Sequence, residues 1–80
     1  MREFIATFHT HLAALMTCWN LNSKGAKAGM MPVPRKLSSS CGTCVRYHAE
    51  LPLLEVMDAD VEGVYEVTGK DQYVQLMDNA

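Results

Sequence analysis

Large rings are scarce in this sequence. One Trp, two Phe and three Tyr make up 8% of 80 residues. A chain of this size buries only about 60% of the surface its unfolded form exposes, so its core is thin and leaves no room for a deep, enclosed active site. An enzyme for large substrates is thereby excluded. Proline occurs only at positions 32, 34 and 52, and no repeat, low-complexity run or Pro/Gly/Ser-rich linker divides the chain. Residues 1–80 therefore read as a single domain, with a core at about 3–67 and a C-terminal extension at 68–80. No apolar run approaches the roughly 20 residues of a membrane span, and Met1-Arg2-Glu3 leads into only a short apolar stretch without a cleavage-site pattern. The expectation is a cytoplasmic protein that does not engage a membrane. Cysteine is also sparse. Three residues, an odd number, are poor material for a disulfide framework and better suited to a thiol or a metal site.

What is present in quantity is apolar residue, at 49%, which marks a folded chain rather than a disordered one. Charge is segregated. Residues 1–48 hold six Lys/Arg against one acid, a balance of +5, and residues 49–80 hold one Lys against eight acids, a balance of −7. Six scattered cations without an aromatic platform do not make a nucleic-acid surface, and none is expected to bind there. Asp58, Asp60 and Glu62 cluster without a catalytic partner and read as a solvated acidic face or a dock for a basic partner.

Glu3-Phe4-Ile5-Ala6-Thr7-Phe8 mixes aromatic and β-branched residues over a short length, which predicts a strand buried on its Phe4/Ala6/Phe8 face. Thr10 is a fit N-cap for a helix in which Leu12, Leu15, Met16 and Trp19 fall at i, i+3, i+4 and i+7, the stripe expected to face the sheet, with Gly25 closing it. Cys18 beside the stripe reads as packing. Lys27 to Val33 predicts a second strand ending at the prolines. Thr43 to Tyr47 predicts a third, with Thr43, Val45 and Tyr47 on one face and Cys44 and Arg46 on the other. Pro52 suits the first turn of a second helix with Leu53, Leu54, Val56 and Met57 as its apolar side, and Gly63 to Val67 predicts a fourth strand. The order βαββαβ implies an α+β, ferredoxin-like sandwich: a four-stranded antiparallel sheet with two helices on one face. After the turn signal Thr68-Gly69-Lys70-Asp71, Gln72 to Met77 has the alternation of an extra strand. It is expected to pair with strand four, either in its own chain or across a homodimer.

One stretch does not read as scaffold. Pro32-Val33-Pro34-Arg35-Lys36-Leu37-Ser38-Ser39-Ser40-Cys41-Gly42 joins a stiff entry, a run of hydroxyls and a thiol. Gly42 permits a positive φ directly after the cysteine. Cations lower a thiol's pKa and raise its thiolate fraction, and Arg35, Lys36 and Arg46 are the cations nearest in sequence. Cys41 is accordingly the candidate reactive thiol, with Ser38, Ser39 and Ser40 either donating to a sulfur anion or satisfying the turn. Nothing in the pattern calls for a bound cofactor.

Met31-Pro32-Val33-Pro34-Arg35, followed by Ser38-Ser39-Ser40-Cys41-Gly42 and Arg46, resembles the selenium/sulfur carrier-like family of small bacterial proteins. The likeness extends to Thr7-Phe8-His9 and to Gly63-Val64-Tyr65, roughly residues 3 to 67. It implies a carrier rather than a true enzyme, with Cys41 holding selenium or sulfur as a persulfide or selenosulfide. Arg35, Ser38, Ser39, Ser40, Gly42 and Arg46 would surround it. The implied partners are a donor such as a cysteine desulfurase or a selenium-delivering enzyme, and an unidentified acceptor. This chain departs from the family in having Cys44, where a small apolar residue is usual, and in the residues after the fourth strand.

Two rival readings come from other classes. Cys41-Gly42-Thr43-Cys44 has the spacing of thiol oxidoreductases, with Cys44 as the resolving thiol, although residues i and i+3 of an extended strand lie roughly 10 Å apart, beyond disulfide reach unless Gly42 makes a turn. The same pair is half of a zinc site in a metal or regulatory binding module. No second cysteine pair completes it, and His9, His11 and His48 read as cap, turn or solvent residues, so no metal is assigned.

Overall fold

Alternation along Arg2–Phe8, here β1, places Phe4, Ala6 and Phe8 on one face of a strand that becomes the middle of the sheet. The computed structural model describes residues 1–79, so Ala80, the last residue of the expected extension, lies outside the described residues. After β1 come α1 (His11–Ser23), β2 (Lys27–Pro32), β3 (Thr43–Ala49), β4 (Val61–Gly69) and β5 (Gln72–Asp78). The five strands form one antiparallel sheet in the order β2-β3-β1-β4-β5. The C-terminal strand therefore pairs with β4 of its own chain, with Val64 opposite Met77. No helix among the described residues is long and apolar enough to cross a membrane.

The core lies on one face of the sheet, where Phe4, Phe8, Val45, Tyr47 and Val64 are fully buried and the Phe4 and Tyr47 rings stack at 5.1 Å. Side chains of this size each contribute about 1.5–3 kcal/mol when fully buried. Against them lies α1. Thr10 caps it as expected, its Oγ1 accepting from the Ala13 N–H at 3.1 Å. At the other end Asn22 bonds the Ala28 backbone through both amide atoms, at 3.0 and 3.1 Å, and so pins the helix to β2.

Two expectations are corrected here. First, α1 does not bury its large stripe. The residues facing the sheet are Ala13, Ala14, Thr17 and Leu21, while Leu12, Leu15, Met16 and Trp19 remain 66%, 45%, 44% and 69% exposed. The helix is apolar on both sides, so periodicity alone could not choose between them. The sheet already fills the layer with Phe4, Phe8 and Tyr47, and a helix approaching such rings packs with small residues where large ones would overfill the space. Thr17 is fully buried on this side, and its Oγ1 accepts from the Asp58 N–H at 3.0 Å.

Second, the described residues form one α-helix, and the expected second helix is reduced to a single 3-10 turn at Leu54–Val56. The sheet is correspondingly five-stranded with one α-helix on its face, not four-stranded with two. β3 ends at Ala49 opposite Arg2, and β4 begins at Val61 opposite Phe8, so residues 50–60 must travel back along the whole of β1. That is roughly 20 Å at about 3.3 Å per residue, whereas eleven helical residues cover only about 16 Å and leave nothing for the turns at either end. The segment stays mostly extended, with Leu53 at φ +53° breaking any helix before it starts. Leu53, Leu54, Val56 and Met57 still pack against the core, and the Tyr47 hydroxyl donates to the Pro52 carbonyl at 2.6 Å.

Among the described residues the opposite face of the sheet carries no helix, yet Ile5, Thr7 and Cys44 are buried there. The loop leaving β2 runs beside this face. Pro34 borders a groove over Ile5, Met31 and Arg46, walled on its far side by Val67 to Asp71 and Tyr73.

Candidate functional site

Residues 33–42 are closed at their base by the Val33 N–H donating to the Gly42 carbonyl at 3.1 Å. Pro34 to Leu37 form a turn, with the Leu37 N–H on the Pro34 carbonyl at 3.0 Å and Arg35 and Lys36 exposed at its tip. Gly42 has φ +74°, the left-handed conformation that glycine adopts without strain, and it swings the chain into β3.

The serines hold the loop to the end of the sheet at which β1 turns into α1. Ser39 Oγ donates to the Phe8 carbonyl at 2.7 Å. The Ser40 N–H and Oγ both donate to the Glu62 carboxylate, at 3.2 and 2.9 Å. Glu62 reaches this position because the β1–β4 register slips between Thr7, opposite Gly63, and Phe8, opposite Val61, leaving Glu62 as the extra residue on β4. A bulge of this kind turns a side chain out of the regular alternation. The end of β5 braces it, Asn79 donating to the Glu62 carbonyl from its backbone N–H at 2.9 Å and to the Val61 carbonyl from its side chain at 3.0 Å. His9 Nδ1 lies 3.5 Å from the same carboxylate. Burial pushes the Glu62 pKa up, but the two bonds from Ser40 and the nearby His9 outweigh it and hold the carboxyl below its ordinary range.

Within this frame Cys41 is partly exposed and packs its inner side against the core cluster. Its Sγ donates to the Thr43 carbonyl at 3.3 Å and lies 3.8 Å from Ser39 Oγ. A hydroxyl and a thiol each have one proton, so while Ser39 donates to Phe8 and Cys41 donates to Thr43 neither donates to the other. Ser39 and Ser40 thus serve the loop's own geometry, and Ser38 stands exposed beside them.

The other two thiols differ in kind. Cys44 is fully buried on the sheet's open face, its Sγ near the Pro32 carbonyl at 3.8 Å; burial, with the neighbouring Cys41, pushes its pKa up to about 11. Cys18 is half-buried on α1, where burial again raises its pKa and Asn22 Nδ2 approaches the sulfur at 3.8 Å. All three are free.

Arg46 alternates onto the open face and pairs with Glu3 at 2.5 Å. Lys36 borders a groove with Tyr65, Tyr73 and Gln75 on that same side. Among the described residues no three His, Cys, Asp or Glu side chains converge as a metal site would require.

Two residues of the site escaped sequence reasoning. Glu62 belongs to the acidic cluster expected to be solvated, but its side chain is only 16% exposed and is bound to the loop. His9 read as a turn residue and stands against Glu62. A strand pattern alone gives no sign of a one-residue slip against a neighbour more than fifty positions away.

The family model described as "Putative Se/S carrier protein-like" matches residues 3–66. No curated protein and no solved structure matches the chain.

Proposed function

The chain belongs to the Se/S carrier protein-like family, and from this premise we propose that it carries selenium or sulfur on Cys41 between a donor and an acceptor protein. The observation that carries the reading is the contrast among its thiols. Cys44 is fully buried, and of the two partly exposed thiols Cys18 lies on a helix whereas Cys41 sits in a loop. We read the β2-β3-β1-β4 order as a ferredoxin-like arrangement whose second helix has been replaced by an extended crossover.

Loading is an exchange between sulfurs. The Cys41 thiolate attacks the outer chalcogen of a donor persulfide or selenosulfide; its bond to that atom forms as the donor's own S–S or S–Se bond breaks. The donor leaves as a thiolate, and no net oxidation occurs. Delivery repeats the step with the acceptor's thiolate attacking and Cys41 leaving. Such a carrier needs an accessible, well-placed sulfur more than a pocket, which suits a domain with a thin core. Its donor would be a cysteine desulfurase or a selenium-delivering enzyme, and its setting cytoplasmic.

The test is intact mass after incubation with a persulfide or selenosulfide donor. Wild type and Cys18→Ser should gain one sulfur or selenium atom, and Cys41→Ser should gain none. Loading of Cys41→Ser equal to wild type would remove the assignment. Gly42, at φ +74°, makes a turn between Cys41 and Cys44, and this favours a dithiol redox protein as the second reading. In that case Cys44→Ser would trap mixed disulfides instead of loading normally.

A further inference from the structure

Among the described residues nothing covers the stripe on α1. Leu12, Leu15, Met16 and Trp19 lie together on the side of the helix opposite Ala13, Ala14, Thr17 and Leu21. The other large exposed apolar residues, Met1, Leu51 and Val74, belong to other elements. Single exposed apolar side chains are ordinary, but four on one helical face are not. We propose that this face binds the same face of a second copy, with the two α1 helices packed antiparallel about a two-fold axis between Leu15 and Met16.

Three features select a second copy. The spacing of the stripe is symmetric about its centre. In an antiparallel pair centred between residues 15 and 16, Leu12 meets the partner copy's residue at position 19, a Trp, and Leu15 meets the one at position 16, a Met. That is the self-complementarity a two-fold interface demands. The face also carries no fixed charge. The thirteen residues of α1 include no Asp, Glu, Lys or Arg, and the same register sets His11 opposite an Asn at position 20. Only residues beside the two-fold axis lie near their own copies, so a charge at position 15 or 16 would meet a like charge, and none stands there. Composition agrees as well, since Trp and Met are enriched and charged residues depleted at the centres of interfaces.

Area sets the strength. An aromatic side chain buries about 150–250 Å² and Leu or Met somewhat less, so at the observed exposures the stripe offers roughly 400 Å² per copy. Two copies together bury about 800–900 Å², at the low end for a specific interface. The dimer is therefore weak, with a dissociation constant on the order of 100 μM. Antiparallel packing sets the two Cys41 loops at opposite ends of a helix pair about 20 Å long, so both stay accessible. Dimerisation and chalcogen loading are then independent, and Cys41→Ser leaves the dimer intact.

Sedimentation under reducing conditions, from about 10 μM to about 1 mM, reads the association over the range in which such an affinity acts. Trp19, the chain's one tryptophan, reports its location, because its emission shifts to shorter wavelength as the indole leaves water. Both should move together with concentration. Met16→Lys brings two like charges to the axis and should weaken association at least tenfold. Leu12→Glu and Trp19→Lys should each dimerise poorly alone, whereas a mixture of the two should form heterodimers, because the register sets the introduced carboxylate against the introduced ammonium. A chain that stays monomeric to about 1 mM with unshifted Trp19 emission would overturn the proposal, as would a dimer indifferent to Met16→Lys.

Discussion

Removing the Glu62 carboxylate should release the loop that holds Cys41. The structure gives this residue two hydrogen bonds from Ser40 on an element 22 positions away, and its side chain is only 16% exposed. Bonds to a charged group contribute about 1.5–3 kcal/mol each when well buried and less where water competes. Glu62→Ala loses both and with them about 1.5–3 kcal/mol of stability, which in a domain of this size lowers Tm by roughly 9–18 °C. Glu62→Gln keeps a neutral acceptor and should lose about half as much. Because the carboxyl is held below its ordinary range, its contribution is fully present above the unfolded-state value of about 4.3 and declines as pH falls through the lower folded-state value. The stability difference between wild type and Glu62→Gln, measured by urea unfolding, should thus be constant from about pH 6 to 8 and shrink below about pH 4. Glu66, which Arg2 also holds low, is common to both proteins and cancels. Local release should show in the thiol too, with Cys41 alkylation at fixed pH rising roughly threefold or more in Glu62→Ala. If Glu62→Ala is as stable as wild type within about 0.5 kcal/mol and its Cys41 reacts at the same rate, Glu62 is not an anchor of this loop.

Two further outcomes follow from the same geometry. In native protein at pH 8, Cys44 should resist iodoacetamide while Cys41 is alkylated, since Cys44 is fully buried and its pKa is pushed up to about 11; peptide mapping that finds the two labelled at equal rates would refute this. Deleting residues 70 onward removes β5 and the Asn79 bonds that brace the Glu62 bulge, and bares the edge of β4. The shortened chain should unfold at lower urea concentration and aggregate more readily, and hydrogen exchange in the full chain should find the β5 amides protected where they pair with β4.

Much of the architecture was legible because it is local. Alternation in Glu3 to Phe8 and in Thr43 to Tyr47 assigned the inner faces of the two central strands, and the structure keeps that division, with Val45 and Tyr47 in the core and Arg46 outside. Thr10 was recognisable as a cap because an N-cap needs only a side-chain oxygen at the right offset. The strand character of Gln72 to Met77 was legible by the same alternation, although nothing local said whether its partner edge lay in the same chain.

The remainder is decided at longer range. An Ala/Thr face and a Leu/Met/Trp face compete on α1, and the rings of Phe4, Phe8 and Tyr47, brought together by strand pairing, leave room only for the smaller one. The apolar composition of Pro52 to Met57 suits a helix, but the distance from the end of β3 to the start of β4 exceeds what eleven coiled residues can cover. Arg46 lies five positions from Cys41 in sequence, yet strand alternation and the β1–β3 register direct it to Glu3 on the other face. Glu62 comes to the Cys41 loop through a one-residue slip between β1 and β4, a property of two strands in register that neither segment carries by itself. The sequence by itself determined where the candidate thiol lies and which segments extend or coil; packing volume, crossover length and register decided what surrounds that thiol, because each is a relation between segments distant in the chain.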